Sequence, residues 1–142
     1  MCFGVSTNAI AEDCWQKAAK EHKVPARILK AIASVESSFR PDAYEQLDDS
    51  ESIGLMQINS FWFDLLEEKG IHQSELWEPC TNISVGAWIL AQEIERYGYN
   101  WISIGSYNAG AYTQKTKGKK LKLYAKYAEK VYRALMIAKQ NK

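Results

Sequence analysis

Glu36 is a carboxylate set among apolar residues. The segment 25–37 opens with Pro25, a residue suited to the first position of a helix, and carries Ile28, Leu29, Ile32 and Val35 at helical spacing. Stepping about 100° per residue from Ile28, Ile32 falls near ~40°, Glu36 near ~80° and Leu29 near ~100°, with Val35 about 20° to the other side. Glu36 therefore lies between Ile32 and Leu29 on the apolar stripe, close to the C-terminal end of the helix. Burial disfavours the ionised carboxyl, and the negative end of the helix dipole acts in the same sense. A carboxylic acid kept protonated near neutral pH is what general-acid cleavage of a glycosidic bond needs. The alternative is a glutamate that reaches solvent from the last turn, or that pairs with Arg27 or Arg40.

The other residues able to do chemistry are sparse. The cysteines are Cys2, Cys14 and Cys80, and the histidines, His22 and His72, lie far apart. No C-x-x-C or H-x-x-x-H spacing occurs, so no metal site is expected, and no motif calls for a cofactor. Ala9-Ile10-Ala11 has the small-x-small pattern of a signal-peptidase site. Residues 1–11 read as the remnant of an export signal or as an extraneous leader, and residues 12–142 as the domain proper. Two cysteines then remain, and in an exported chain they argue for a Cys14–Cys80 disulfide, worth about 4 kcal/mol in the chain-entropy model. Two buried thiols in a cytosolic protein are the alternative.

The elements that must position Glu36 are mostly helical. A chain of 142 residues sets a prior of one domain and is long enough for a full core. Its 46% hydrophobic and 25% charged residues exclude a disordered tail, a collagen-like chain and a membrane bundle. No run approaches 18 apolar residues, so no transmembrane segment is expected. Short helices are expected over 14–22 and from 25 to about 37, the latter ending before Pro41. Residues 40–53 read as a loop or weak hairpin. A helix then starts near Ser60 as N-cap and stops at Gly70, and a loop covers 71–81. A long helix comes next over 82–97 and a short one over 101–107. A Lys-rich loop is expected over 111–120, and Leu123, Tyr127, Val131, Ala134, Leu135 and Ala138 mark a last helix by their spacing. Twelve per cent aromatic residues suit either a groove that stacks on sugars or an aromatic core.

The formal charge of +1 is too near zero to suggest nucleic acid. It is unevenly spread: residues 1–110 hold 8 Lys and Arg against 16 Asp and Glu, and residues 111–142 hold 10 against Glu129 alone. The basic segment, with Lys115, Lys117, Lys119 and Lys120, is expected to serve a partner or an anionic polymer rather than the chemistry, unless it is simply a solvated face.

Four short motifs occur one after another in register: Glu36-Ser37, Gly54-Leu55-Met56-Gln57, Asn82-Ile83-x-x-Gly86 and Ser106-Tyr107-Asn108-Ala109-Gly110. In order and spacing they resemble the lytic transglycosylases, whose goose-type-lysozyme-like domain cuts peptidoglycan. The resemblance covers about residues 13–135. The Asp13-Cys14-Trp15 start, Pro79-Cys80 and Tyr127-Ala128-Glu129 resemble the small single-domain members that serve bacterial secretion, conjugation and pilus machines. It implies a mainly α, lysozyme-like fold of about six helices with a small hairpin near 40–55. It also implies a periplasmic monomer without cofactor, an export signal, the Cys14–Cys80 bond, peptidoglycan glycan strands as substrate and a secretion, conjugation or pilus component as partner.

By position, the resemblance makes Glu36 the sole catalytic acid/base, followed by Ser37. Gln57 lines the groove at the cleaved bond, Met56 packs beneath the sugar, Tyr107 brings its hydroxyl near Glu36, and Asn108 stands in the groove wall. Met56 reads sooner as core filler than as a sugar platform, and Asn108 reads alternatively as a helix cap. One departure stands out. Relatives of the small type often carry Asp two residues before the Gly of G-L-M-Q, where this chain has Ser52. Asp48, Asp49 and Glu51 cluster nearby and are candidates for a second carboxylate, or else form a solvated acidic loop. The expected reaction is cleavage at N-acetylmuramic acid with closure of a 1,6-anhydro ring, assisted by the substrate's own acetamido group. The rivals are a hydrolytic muramidase using a second acid, a papain-like peptidase built on Cys14 and His72, and a module that only binds glycan or a partner.

Overall fold

The computed structural model describes residues 7–109 and 117–140. Helix α1 (Thr7–His22) buries Trp15 and Ala18. Helix α2 (Ala26–Ser37) buries Ile28, Leu29, Ala31, Ile32 and Ala33. Pro25 precedes it as an extended N-cap rather than as its first helical residue. Ser38 and Phe39, both left-handed, end it two residues after Glu36, with Ser38 N–H donating to the Ser34 carbonyl. Two consecutive non-glycine residues at positive φ are uncommon, and they persist where surrounding structure demands them. Here they turn the chain sharply at the end of α2 and place Phe39 edge-on against Trp15.

The expected weak hairpin is present and gains a third strand. β1 (Tyr44–Leu47), β2 (Ser50–Ile53) and β3 (Ile58–Asn59) form an antiparallel sheet in that order. Glu45 stands opposite Ser52, and Ser52 opposite Asn59. Side chains alternate between the faces of a strand. Ile53 and Ile58, both buried, define the core face, so Glu45, Ser52 and Asn59 share the other.

Asn59, not Ser60, caps the next turn: its side chain accepts from Phe61 N–H, while Ser60 Oγ accepts from Glu51 N–H. This 3-10 turn, Ser60–Trp62, leads into α3 (Phe63–Glu68). The segment 71–81 is more ordered than a loop. His72 caps a second 3-10 turn, Gln73–Trp77, and α4 (Pro79–Tyr97) begins three residues earlier than expected, because Glu78 accepts from Cys80 and Thr81 N–H.

α4 is the spine of the fold. It packs against α1, α5 (Trp101–Ala109) and the 3-10 turn before it, and buries Ile83, Val85, Ala87, Ile89 and Leu90. Helix α6 (Lys117–Gln140) packs on α5 and α2. Its buried stripe is Tyr124, Tyr127, Ala128 and Val131; Leu123 and Ala138, which mark the helix in the sequence, face solvent. The disulfide Cys14–Cys80 joins α1 to the start of α4 across a Cα separation of 5.3 Å. The expected Lys-rich loop lies outside the described residues over 110–116, and from Lys117 the chain is helical. The leader reading of residues 1–11 falls mostly outside them too, with α1 described from Thr7. Among the described residues no helix is long and apolar enough to cross a membrane.

Candidate active site

Glu36 sits half-buried in the last turn of α2, where the helical wheel puts it. Removal from water holds its carboxyl above the usual range, and the negative charge of Glu45 pushes the same way. The Tyr127 hydroxyl, the Asn108 amide and the Lys130 ammonium act against this without cancelling it. Asn108 Nδ2 donates to Glu36 Oε1 at 3.3 Å. The Tyr127 hydroxyl is buried beside the same carboxyl but misses full hydrogen-bond geometry, and is one of two buried side-chain polar atoms left unpartnered among the described residues. Burial, with Glu36 nearby, drives the Tyr107 and Tyr127 hydroxyls well above the ordinary tyrosine range. Both phenols therefore stay neutral, and Glu36, its carboxyl raised by burial, is the group of this cluster that can exchange a proton.

The loop Gly54–Gln57 forms the wall beside it, and Asn82 holds that loop from behind. Almost fully buried, Asn82 accepts from Met56 N–H at 2.8 Å and donates to the carbonyls of Ile53 and Leu76 at 2.9 and 2.8 Å. Gly54, at φ +80°, lies so close to the Asn82 amide that any Cβ would collide with it. Gly86 on α4 leaves room for Met56: a Cβ there would meet Met56 Cγ at 2.7 Å. Tyr107 donates to the Met56 carbonyl at 2.7 Å, tying α5 to the same loop.

The expected site residues separate into two groups. Glu36, Tyr107 and Asn108 come together at the end of α2, as their motifs imply. Ser37 does not line the groove: it is buried, and its hydroxyl is directed at the Leu55 and Ala33 carbonyls at 2.8 and 3.1 Å. Its work is to bind α2 to the loop. Met56 has no exposed side chain to offer a sugar and is core. Gln57, at φ +49°, turns its amide back on the Ala43 and Gly54 carbonyls, so its Nε2 braces the loop.

Asp48, Asp49 and Glu51 are not among the groups whose charge or hydrogen bonds bear on Glu36. Asp48 and Asp49 form the β1–β2 turn. Glu51 lies on the core face of β2, where its Oε2 accepts from the Tyr44 hydroxyl at 2.6 Å. The carboxylate whose charge reaches Glu36 is Glu45, a residue that sequence reasoning passed over. Tyr127 enters the sequence reading only as a buried helix residue and a family marker, and Lys130, one helical turn on, does not enter it.

Cys14 is bonded to Cys80, and His72 Nδ1 lies 2.8 Å from Ser74 Oγ in a helix cap, which removes the peptidase reading. Among the described residues no three His, Cys, Asp or Glu side chains gather as a ligand set for a metal. Two recesses of about 410 and 330 Å³ flank Tyr132 and Trp101; neither includes Glu36.

A buried acid between neutral donors, on a helical fold carrying these four motifs, is matched by one family model: the transglycosylase SLT domain, over residues 13–130. The chain belongs to this family. It is 38% identical over 130 residues to "Invasion protein IagB" of Salmonella typhimurium, covering 90% of this chain and 78% of that protein. It is 39% identical over 133 residues to "Protein IpgF" of Shigella flexneri, covering 92% and 84%. Its fold superposes on the lytic transglycosylase Slt of Pseudomonas aeruginosa, solved as an inactive mutant, with a TM-score of 0.71 and 21% identity. That match covers 98% of this chain but only 25% of Slt, so the likeness is to one part of a longer protein. The lysozyme-like, mainly α fold of lytic transglycosylases is thus the fold of this SLT domain, and peptidoglycan lytic transglycosylase is its enzyme class.

Proposed function

We propose that this SLT domain cleaves the β-1,4 bond between N-acetylmuramic acid and N-acetylglucosamine, with Glu36 as its acid and base. The observation that carries the reading is the Glu36 carboxyl, held above its ordinary range by burial and bordered by the neutral donors Asn108, Tyr107 and Tyr127. Protonated Glu36 gives its proton to the glycosidic oxygen as the bond from muramyl C1 breaks. The substrate's 2-acetamido group shares the positive charge at C1, so no protein nucleophile is needed. Glu36, now ionised, takes the proton of the muramyl 6-hydroxyl as O6 bonds to C1. The 1,6-anhydro ring closes, no water is consumed and the acid is regenerated. Tyr107 and Asn108 supply hydrogen bonds in the groove, while Ser37, Met56 and Gln57 hold the wall in shape.

Such a reaction opens the cell wall locally in the periplasm. Relatives that include a protein named for invasion, together with the motifs of the small single-domain type, support service to a secretion, conjugation or pilus machine. The test of the chemistry is the mass of muropeptides released from purified sacculi. Products with a 1,6-anhydro end are expected; products heavier by one water would make the enzyme a hydrolytic muramidase.

A further inference from the structure

Outside the cleft, α6 presents an apolar stripe to solvent. Ala125, Ala128, Tyr132, Leu135, Met136 and Lys139 recur at helical spacing and line the two recesses of about 410 and 330 Å³ that meet at Trp101 and Tyr132. At 1.5 Å per residue the stripe runs about 21 Å, or roughly four turns. The facing side comes from Trp101 and Ile104 of α5, with Tyr99 before them. Arg27 and Ile28 close the groove at the first turn of α2, about 12 Å along that helix from Glu36. Trp101 meets Tyr132 edge-on, with 5.9 Å between ring centres. Tyr99, Trp101 and Tyr132 are nevertheless 55, 48 and 49% exposed. Soluble proteins rarely leave large aromatic rings clustered in water unless something docks on them.

The lining decides what kind of molecule fits. Two of its polar side chains are already spent. Asn100 donates to the Tyr97 carbonyl at 2.6 Å and accepts from Ile102 and Ser103 N–H at 2.9 and 3.3 Å, as the cap of α5. Glu129 is held by Arg133 at 2.7 Å. A sugar, whose ring hydroxyls need paired donors and acceptors, is therefore a poor fit. What remains is an aliphatic and aromatic floor with Arg27 and Lys139 at one end, both exposed and neither with an ion-pair partner among the described residues. We propose that this groove binds an amphipathic helix of a partner protein, apolar along the face that meets α6 and acidic at the end that meets Arg27 and Lys139. This rests on the reading that the domain serves a larger machine. A straight groove four turns long along a helix takes a second helix through anchors at i, i+3, i+4 and i+7. Trp, Tyr and Arg carry much of the binding energy in such interfaces, and Met adapts its shape to the partner. The sign of the partner follows from charge: residues 111–142 hold 10 Lys and Arg against Glu129 alone, so α6 draws an acidic segment and repels a basic one.

The experiment is an NMR titration of the full chain with a synthetic helical peptide of about fourteen residues, Leu at every third and fourth position and Glu between, and with its sister carrying Lys for Glu. Saturable shifts are expected at the Trp101 indole N–H and along α6 from Tyr132 to Lys139, with the Lys peptide about tenfold weaker. Arg27→Glu combined with Lys139→Glu reverses the preference; both side chains are exposed, so the fold is expected to hold. Trp101→Ala removes binding of either peptide. Unmoved Tyr107 and Asn108 resonances show that α5 is intact in that variant, and Tyr132→Ser repeats the test from α6 if they move. Turnover of a short soluble glycan stays within about twofold of the parent in the charge-reversed variant, because the groove excludes Glu36. Equal binding of the two peptides, or shifts without saturation, overturns the proposal. So does a tetramer of N-acetylglucosamine that moves the same resonances, which would make the groove a glycan site. A wild-type chain that binds the Glu peptide but releases no product from sacculi sinks the enzymatic reading and leaves the groove; one that releases product without binding the peptide sinks the groove alone.

Discussion

The loop wall of the cleft, Gly54–Gln57, is held from behind by Asn82, Ser37 and Tyr107, each bonded to its backbone. The sheet that this loop interrupts is its contrast: Tyr44, Glu45, Gln46 and Leu47 are all exposed, and the turn of its first hairpin is two aspartates. The loop has several buried bonds to lose with any change of residue, so its residue types are nearly dictated. The outer strand is held by its backbone pairing with β2. Glu36 meets the loop through Tyr107, whose hydroxyl is bonded to the Met56 carbonyl.

The largest effect is expected from Glu36→Gln, which keeps the shape and hydrogen-bonding reach of the side chain but carries no exchangeable acid. Glycan cleavage should fall by at least ~10²–10⁴-fold. Stability should move in the opposite direction. The folded-state pKa of Glu36 is raised, so its contribution to stability is greatest below the unfolded value and is lost as pH rises through the folded one. At neutral pH the variant is therefore expected to melt no lower than the parent, and to lose that advantage below about pH 4. Residual turnover above a tenth of the parent, or a variant that unfolds more readily at pH 7, would break the reading of Glu36 as a buried acid.

Asn82→Ala tests the loop wall. It strands Met56 N–H and removes a donor from the Ile53 and Leu76 carbonyls, all in the core. Each buried group left without a partner costs about 1–3 kcal/mol, so a loss of about 3 kcal/mol or more is expected by urea unfolding. Because the same loop accepts the Tyr107 hydroxyl, turnover should fall even under conditions where the variant is folded. A loss below about 1 kcal/mol would mean that the loop holds its shape without Asn82.

The contrast explains what the sequence disclosed. The periodicity of residues 25–37 placed Glu36 correctly because a helical wheel needs only local spacing. The pairing of Cys14 with Cys80 came from setting Cys2 aside with the expected leader, and the pattern of α4 from its apolar stripe. What local spacing could not show was the direction of side chains that depend on a partner element. Ser37 and Gln57 look like groove residues until Leu55, Gly54 and Ala43 are seen to take their donors. Met56 looks like a sugar platform until Gly86 is found beneath it. Tyr127 looked like one more residue on an apolar face, because its hydroxyl meets Glu36 only once α6 packs on α2. Which of the five acids between residues 42 and 51 bears on Glu36 depends on how β1 packs relative to the end of α2, which no pattern within one strand reveals.

The smallest effect is expected where an acidic loop looked most promising. Changing Asp48 and Asp49 to Asn and Glu51 to Gln removes three charges from the same hairpin that carries Glu45. Asn keeps the left-handed backbone that Asp48 adopts at φ +45°, and Gln still accepts from the Tyr44 hydroxyl, so the hairpin should keep its register. Exposed substitutions of this kind change stability by about 0.5 kcal/mol or less. Turnover of a short soluble glycan should stay within about twofold of the parent, and the alkaline limb of its pH profile should not move. Asp48 and Asp49 sit beyond the end of the strand, Glu51 is engaged by the Tyr44 hydroxyl, and none of the three is among the groups that bear on Glu36. If the triple variant moves the limb, charge on the hairpin as a whole reaches Glu36, and the contrast between the buried loop and its exposed hairpin would fall.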